Sequence, residues 1–391
     1  MFELNINGKT VYSETDKPLL SFLRDDLKIT SAKDGCSEGA CGTCTVLVDG
    51  KAVKACVQKV SRFVGKSVLT VEGLSQRERE VYEHCFGAAG AVQCGFCIPG
   101  MVICAKALLD KNPDPSPADV KKAIRGNICR CTGYKKIEEA ILMAGRYFRD
   151  NLAIPESPET LRMNEHFNRP DAAGKVNGTG KYVDDLDFEG MLHAKAVRSK
   201  YPRAKVNKID ISKALAHPDC VRILLKKDVP DNVIGHMKKD WDVLLGEGDI
   251  TRYVGDCLAL VAVSRKESLE EVVSLVEVDY TELTPVTTPQ DALRGDAPLI
   301  HEDGNIMSKS TLVNGDVKTA IANARYVVTR KYKTPHQEHA FMEPECAVAL
   351  PEGDDGLLVY TGGQSVYDEQ REIAGMLKIP REKVHCHSML V

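Results

Sequence analysis

The chain predicts an α+β multidomain protein, and three observations lead there. Its 391 residues exceed what one hydrophobic core organises, which points to several domains. The apolar pattern begins as short alternating runs around hairpin turns, changes to helical spacing near residue 79, and then alternates strands with helices. Ten of the fourteen cysteines lie in the first 131 residues. With 43% hydrophobic and 28% charged residues the chain is neither disordered nor collagen-like. No run approaches ~18 apolar residues, so no membrane span is expected. The segment MFELNINGK at the start shows no signal-peptide pattern, and a cytoplasmic location is expected. A net charge of −4 gives no basic footprint for nucleic acid.

Residues 1–78 read as a β-grasp. Phe2, Leu4 and Ile6 alternate before the hairpin signal Asn7-Gly8, and Thr10 to Tyr12 continue as strand formers. Pro18 opens an amphipathic helix carrying Leu19, Leu20, Phe22, Leu23 and Leu27. A glycine- and cysteine-rich loop from Gly35 to Cys44 precedes a second hairpin, which turns at Asp49-Gly50 between Thr45–Val48 and Ala52–Cys56.

Residues 79–150 read as a helical bundle. Pro99 suits the first turn of a helix that runs to Leu108, and Asn112-Pro113-Asp114-Pro115 breaks it. Ser116 is an N-cap with Pro117 at the first helical position, and Ile137, Ala140, Ile141, Ala144 and Phe148 form one face of a last helix. Residues 151–178, with three prolines, read as a linker over the surface. In 179–305, Cys257 to Val263 forms a buried strand, Ser264 and Glu267 a capping box for a helix to Leu275, and Val276 to Tyr280 the next strand. In 306–391, Asp316 caps a short helix, Tyr326 to Thr334 is extended, and the chain ends abruptly in a strand-like stretch.

Clustered thiols in a chain without secretory signals point to metal rather than disulfides. Cys36-x4-Cys41-x2-Cys44, with Cys56 following after an eleven-residue gap, matches the plant-type ferredoxin spacing for a [2Fe–2S] cluster. Gly35, Gly39 and Gly42 allow the tight wrap that such a loop requires. Cys94-x2-Cys97, then thirty-one residues, then Cys129-x-Cys131, is ambiguous alone and fits zinc, a thiol redox pair or a second cluster. Its position after the first motif favours a second [2Fe–2S] cluster. Cys85 and Cys104 fall outside both patterns. Cys220, Cys257, Cys346 and Cys386 are scattered singly and read as small core hydrophobes.

The run GCSEGACGTC, the segment Gln93-Cys94-Gly95-Phe96-Cys97-Ile98-Pro99-Gly100 and NICRCTGY from Asn127 resemble the xanthine dehydrogenase/aldehyde oxidoreductase family of molybdenum hydroxylases. GKVNGTGKYVDDL from Gly174 and Thr251 to Asp256 resemble its α/β-hammerhead domain, and His336 to Val391 resembles the beginning of its first molybdenum-binding domain. The resemblance implies a molybdenum-pterin cofactor that oxidises an aldehyde or N-heterocycle with oxygen from water. Electrons would leave through two [2Fe–2S] clusters. It implies pterin contacts at Gln93 and at the backbone of Cys131, with Gln364 near the metal's oxo ligand.

The segment 151–178 is too short for a flavin domain, so no FAD is expected in this chain. The family's catalytic glutamate would lie beyond residue 391, which leaves no catalytic residue expected within the chain and makes a fragment or split subunit the expectation. The implied partners are a small-molecule substrate, an external acceptor such as a flavoprotein or flavodoxin, and a second copy in a homodimer. A non-catalytic two-cluster electron-transfer subunit is the alternative, though it would not need the residues after 150. His336 to His339 lacks the order of a zinc protease, and His385-Cys386-His387 lacks a third ligand nearby. His217 suits a helix C-terminus, and the pairs Asp25-Asp26 and Asp184-Asp185 read as solvated.

Overall fold

The structure, a computed structural model, describes residues 1–156, 163, 169–236 and 238–390. Strands β1 (Phe2–Ile6), β2 (Lys9–Ser13), β3 (Thr45–Val48), β4 (Lys51–Lys54) and β5 (Ser67–Leu69) form one sheet in the order β2-β1-β5-β3-β4. Both hairpins turn where expected. Asn7, Gly8, Asp49 and Gly50 all have positive φ, as a two-residue turn matched to strand twist requires. The short strand β5, three residues without a pattern of its own in the sequence, pairs parallel with β1 and antiparallel with β3. Helix α1 (Leu19–Ser21) continues into a π-helical turn, Phe22–Asp26, in which the Leu27 N–H reaches the Phe22 carbonyl. Its buried Leu19, Leu20, Phe22 and Leu23 fill the concave face of the sheet with Leu4, Val46 and Val68. That is a β-grasp.

The helical bundle consists of α2 (Gln76–Ala88), α3 (Ile98–Leu109), α4 (Pro117–Ile124) and α5 (Lys135–Arg149). Ser75 and Ser116 each form a capping box, with Glu78 and Asp119. Ile137, Ala140, Ile141 and Ala144 of α5 are fully buried. Part of the expected linker is core instead. Residues Ala172–Asn177 form a helix, α6, whose Ala172 and Val176 pack into the bundle. Two buried apolar positions, Ala172 and Val176, in a six-residue helix make a weak periodic signal, which hides it in the sequence. Residues 157–162 and 164–168 of that segment lie outside the described residues.

Strand Cys257–Val263 is central in a three-stranded sheet between His193–Arg198 and Cys220–Leu224. Ala204–Asp210 and Glu277–Glu282 form a separate antiparallel pair. The capping box expected at Ser264 does not form, because the Ser264 N–H and hydroxyl both go to the Asp219 carbonyl. A 3-10 turn, Lys266–Ser268, intervenes and the helix starts at Leu269. Asp316 caps helix Val317–Ala322 as expected. Tyr326 to Thr334 pairs with no strand, and Tyr326, Val328 and Tyr332 are exposed.

In the last unit, strand Gly356–Thr361 lies between Ala347–Glu352 and Val384–Ser388, and helix Val366–Leu377 crosses between the two parallel strands. Among the described residues no helix is long and apolar enough to cross a membrane. None of the scattered cysteines is fully buried: Cys220, which packs against the cluster around Ala259 and Val261, is half-buried like Cys257 and Cys386, and Cys346 is exposed. The first two sit at strand ends, where the sheet core thins. The Asp184-Asp185 pair is not solvated either. Asp185 is buried and ion-paired to Lys33 and Arg24, residues about 150 positions away that a local reading cannot bring near.

Candidate iron–sulfur and cofactor sites

The loop from Gly35 to Cys44 folds back on itself before entering β3, and Gly39 and Gly42 take positive φ within it. The backbone N–H groups of Cys41 and Glu38 point at the Cys36 sulfur, at 3.4 and 3.5 Å. Partial burial pushes the Cys36 thiol up, but these N–H groups outweigh it and bring it down to about 7. Cys36 pairs with Cys41, and Cys44 pairs with Cys56. Burial pushes Cys44 up to about 12.

The helical domain arranges its four thiols in the same way. Cys94 and Cys97 precede α3, while Cys129 and Cys131 occupy the turn before α5. The Cys131 and Cys94 sulfurs lie 3.6 Å apart, and Cys97 pairs with Cys129. Hydrogen bonding from Cys97 brings the Cys129 thiol down to about 5. Eight cysteines thus form two sets, each made of two close pairs. A [2Fe–2S] cluster needs two thiolates on each of two irons, so the donor sets fit it. Cys85 is buried in the helical core, and the Cys104 thiol donates to Asn127 Oδ1 at 3.1 Å.

The two sets are brought close by small residues. The Asn127 side-chain amide donates to the Gly42 carbonyl at 2.9 Å, and the Ile128 N–H donates to the Cys41 carbonyl at 2.7 Å. A side chain at Gly42 would place its Cβ 2.4 Å from the Gly126 carbonyl oxygen, and one at Gly100 would place it 2.6 Å from the Gly42 oxygen. No larger residue fits this contact unless the backbone moves.

Beyond the second set opens a cavity of about 670 Å³, lined by Cys94, Cys131, Glu343, Cys346, Gly363 and Gln364 among others. Gln364 follows Thr361, the carboxyl end of the central strand, which is where open α/β sheets commonly bind ligands. The fold thus brings Cys131 and Gln364 to one space. Gln93 lies beside it: its side-chain amide donates to the Cys131 carbonyl at 3.0 Å, and its own carbonyl accepts from Lys175 at 2.9 Å and Arg169 at 3.1 Å. Arg130 ties the cavity's far wall to the helical domain through the Glu338 and His339 carbonyls, at 2.9 and 3.0 Å. Two further lining residues are Glu343, whose carboxyl burial pushes up to about 7 and which the sequence does not single out, and Cys346, which lines the cavity rather than a core as its sequence pattern suggests. Neither carries a local spacing signal. His385 instead meets Glu352, and His387 stacks edge-on to Tyr360.

Four domain families match in order along the chain. They are a 2Fe-2S iron-sulfur cluster binding domain (residues 18–80), a [2Fe-2S] binding domain (70–142), the a/b hammerhead domain of aldehyde oxidase and xanthine dehydrogenase (177–284), and a molybdopterin cofactor-binding domain (300–391). The aldehyde oxidoreductase of Megalodesulfovibrio gigas is 34% identical over 380 residues, which cover 90% of this chain and 42% of that protein. The nicotinate dehydrogenase small FeS subunit of Eubacterium barkeri is 46% identical over 144 residues, 36% of this chain and 92% of that subunit. The solved aldehyde oxidoreductase from Desulfovibrio gigas superposes with a TM-score of 0.91 at 30% identity, over 100% of this chain and 46% of that one. The chain therefore spans less than half the length of those aldehyde oxidoreductases. With these four domain families along the chain and a superposition over its whole length, the chain belongs to the aldehyde oxidoreductase/xanthine dehydrogenase family.

Proposed function

We propose that this chain carries electrons from a molybdenum-pterin site to an external acceptor, as part of a molybdenum hydroxylase acting on an aldehyde or N-heterocycle. The observation that carries the reading is the paired arrangement of eight thiols in two adjoining sets. Cys36, Cys41, Cys44 and Cys56 would hold one [2Fe–2S] cluster, and Cys94, Cys97, Cys129 and Cys131 the other. When bound, each cluster supplies one-electron carriage and the molybdenum pterin supplies hydroxylation with oxygen from water.

The chain's own residues supply position and exclusion of water. N–H groups directed at Cys36 favour its thiolate, and the Ile128–Cys41 hydrogen bond holds the two sets together across the domain boundary. Gln93 fixes the Cys131 carbonyl, and the Gln364 loop closes the opposite side of the cavity where the pterin would lie. The acceptor would be a flavoprotein or flavodoxin, since only residues 143–176 separate the second cluster-binding domain from the hammerhead domain and part of them forms α6. A pure electron-transfer subunit is less well supported, because such a carrier has no use for the hammerhead domain or the cavity.

The test is to add aldehydes and N-heterocycles, without air, to the assembled hydroxylase that contains this chain together with the rest of its molybdenum-binding region, loaded with molybdenum cofactor, and follow visible absorption. Bleaching of iron–sulfur bands by one of these substrates is expected. Bands that dithionite bleaches and no such substrate does would overturn the reading.

A further inference from the structure

Lys33 and Asp185 form an ion pair inside the protein, with side chains 1% and 0% exposed. Asp185 also accepts from Arg24 at 3.0 Å and from the Tyr182 N–H at 3.0 Å, while Arg24 reaches Asp184 at 3.0 Å. Taking such charges out of water is costly, and a buried pair commonly stabilises a fold no better than apolar residues of similar volume. Its location suggests another use.

The Lys33 backbone belongs to the β-grasp loop. Its carbonyl accepts from the Thr43 hydroxyl at 2.9 Å, and that hydroxyl lies 3.2 Å from the Cys41 sulfur. The ammonium at the other end of the same side chain lies 4.6 Å from the centre of the Tyr182 ring and 5.9 Å from that of Phe96. Phe96 stands between Cys94 and Cys97, and the Tyr182 hydroxyl donates to the Cys94 carbonyl at 2.6 Å. The two rings meet edge to face, with centres 5.4 Å apart. One lysine therefore runs from the first thiol set to the aromatic wall of the second.

We propose that Lys33 is a positioning residue for electron transfer, whose buried ammonium, held by Asp185 and seated on Tyr182 and Phe96, raises the reduction potential of the cluster on Cys94, Cys97, Cys129 and Cys131. The proposal rests on the functional reading above. Reduction adds one electron to that cluster and moves no atom, so a fixed positive charge favours it and a fixed negative charge opposes it. Both effects are strong where water is excluded. The rings hold the ammonium in place through their negative faces. The ammonium would make the second cluster a better acceptor for electrons arriving from the cavity side, and the Asp185 carboxylate that holds it would offset part of that effect.

The experiment is a potentiometric titration of the full-length protein with dithionite, followed by electron paramagnetic resonance of each cluster. Lys33→Met is expected to lower the equilibrium constant for reducing the second cluster about tenfold, which is about 59 mV for one electron. Asp185→Asn is expected to shift it the other way. Lys33→Met/Asp185→Leu removes both charges, a change that buried pairs generally tolerate, and its potential should lie above that of Lys33→Met alone. If Asp185→Asn does not fold, the comparison of the double variant with Lys33→Met decides. Shifts of the same sign in both single variants, or no shift, overturn the proposal, because a purely structural role has no reason to follow the sign of the charge. A parent protein without two iron–sulfur signals would overturn the functional reading itself, which is a distinguishable result.

Discussion

The Ile128 N–H donates to the Cys41 carbonyl at 2.7 Å, so a single hydrogen bond joins the residue before Cys129 to a cysteine of the other domain. Contact this close needs bare backbone on both sides. Gly42 supplies it from the β-grasp loop and Gly100 from the first turn of α3, with Asn127 bridging them. The distance between the two thiol sets is therefore determined by packing of main chain on main chain, which has little room to adapt.

Gly100→Ala tests that contact. In an exposed helix the change would stabilise by about 1 kcal/mol, because alanine is the better helix former. Here the added Cβ would lie 2.6 Å from the Gly42 oxygen and 3.2 Å from Asn127 Nδ2, so overpacking should win and destabilise by roughly 1–3 kcal/mol. Thermal denaturation should show a lower midpoint, and magnetic coupling between the two reduced clusters should weaken. A raised midpoint would mean that the domains are not in this contact.

Ser116→Ala should cost about 1 kcal/mol, because Ser116 accepts from the Asp119 N–H and its own N–H donates to the Asp119 carboxylate at 3.0 Å. Denaturant titration of the variant measures it, and a change near zero would remove the cap from the stability of α4.

The Ser116 cap was legible because its chemistry is local: a serine, a proline and an aspartate within four residues. The Asn7-Gly8 and Asp49-Gly50 hairpins were legible for the same reason, since two residues determine a turn. The two cysteine sets were visible from spacing, but not which thiols pair. Cys94 meets Cys131 and Cys97 meets Cys129 only once α3 and α5 have packed. Burial of Asp185 was illegible because its partners, Lys33 and Arg24, are distant in sequence and a pair of adjacent aspartates looks solvated. The cavity was half legible. Cys131 and Gln364 stood out through family resemblance, whereas Glu343 and Cys346 reach it only because an irregular segment runs along its wall.

Asp171 links the wall of the second thiol set to acid stability. Partial burial raises its carboxyl, but hydrogen bonds from Arg169 and Lys175 prevail and bring it down to about 2. A carboxyl whose folded pKa lies below its unfolded value contributes stability above the unfolded value and loses it as pH falls toward the folded one. Its contribution, roughly 1–2 kcal/mol after solvent screening, should be complete at neutral pH and fade between about pH 4 and pH 2. Asp171→Asn should lower stability at pH 7 and flatten this part of the acid-denaturation profile. Since Arg169 and Lys175 both also donate to the Gln93 carbonyl, equal profiles for parent and variant would disconnect Asp171 from that wall.

Cys131→Ser separates the two thiol sets by composition and colour. If the sets hold one [2Fe–2S] cluster each, the parent should contain about four iron and four labile sulfide per chain. Cys131 shares no pair with Cys36, Cys41, Cys44 or Cys56, and its sulfur lies 3.6 Å from that of Cys94. Losing its thiolate leaves one iron of the second cluster with a hard oxygen donor in place of sulfur. The variant should therefore fall toward about two iron per chain, with the β-grasp cluster's resonance unchanged and the other weakened or shifted. Cys85→Ser, in the same bundle but outside both sets, should lose some stability through a buried hydroxyl and keep all four irons. Zinc in place of iron in the second set, or equal loss of both resonances in Cys131→Ser, would show that the eight thiols are not divided in this way.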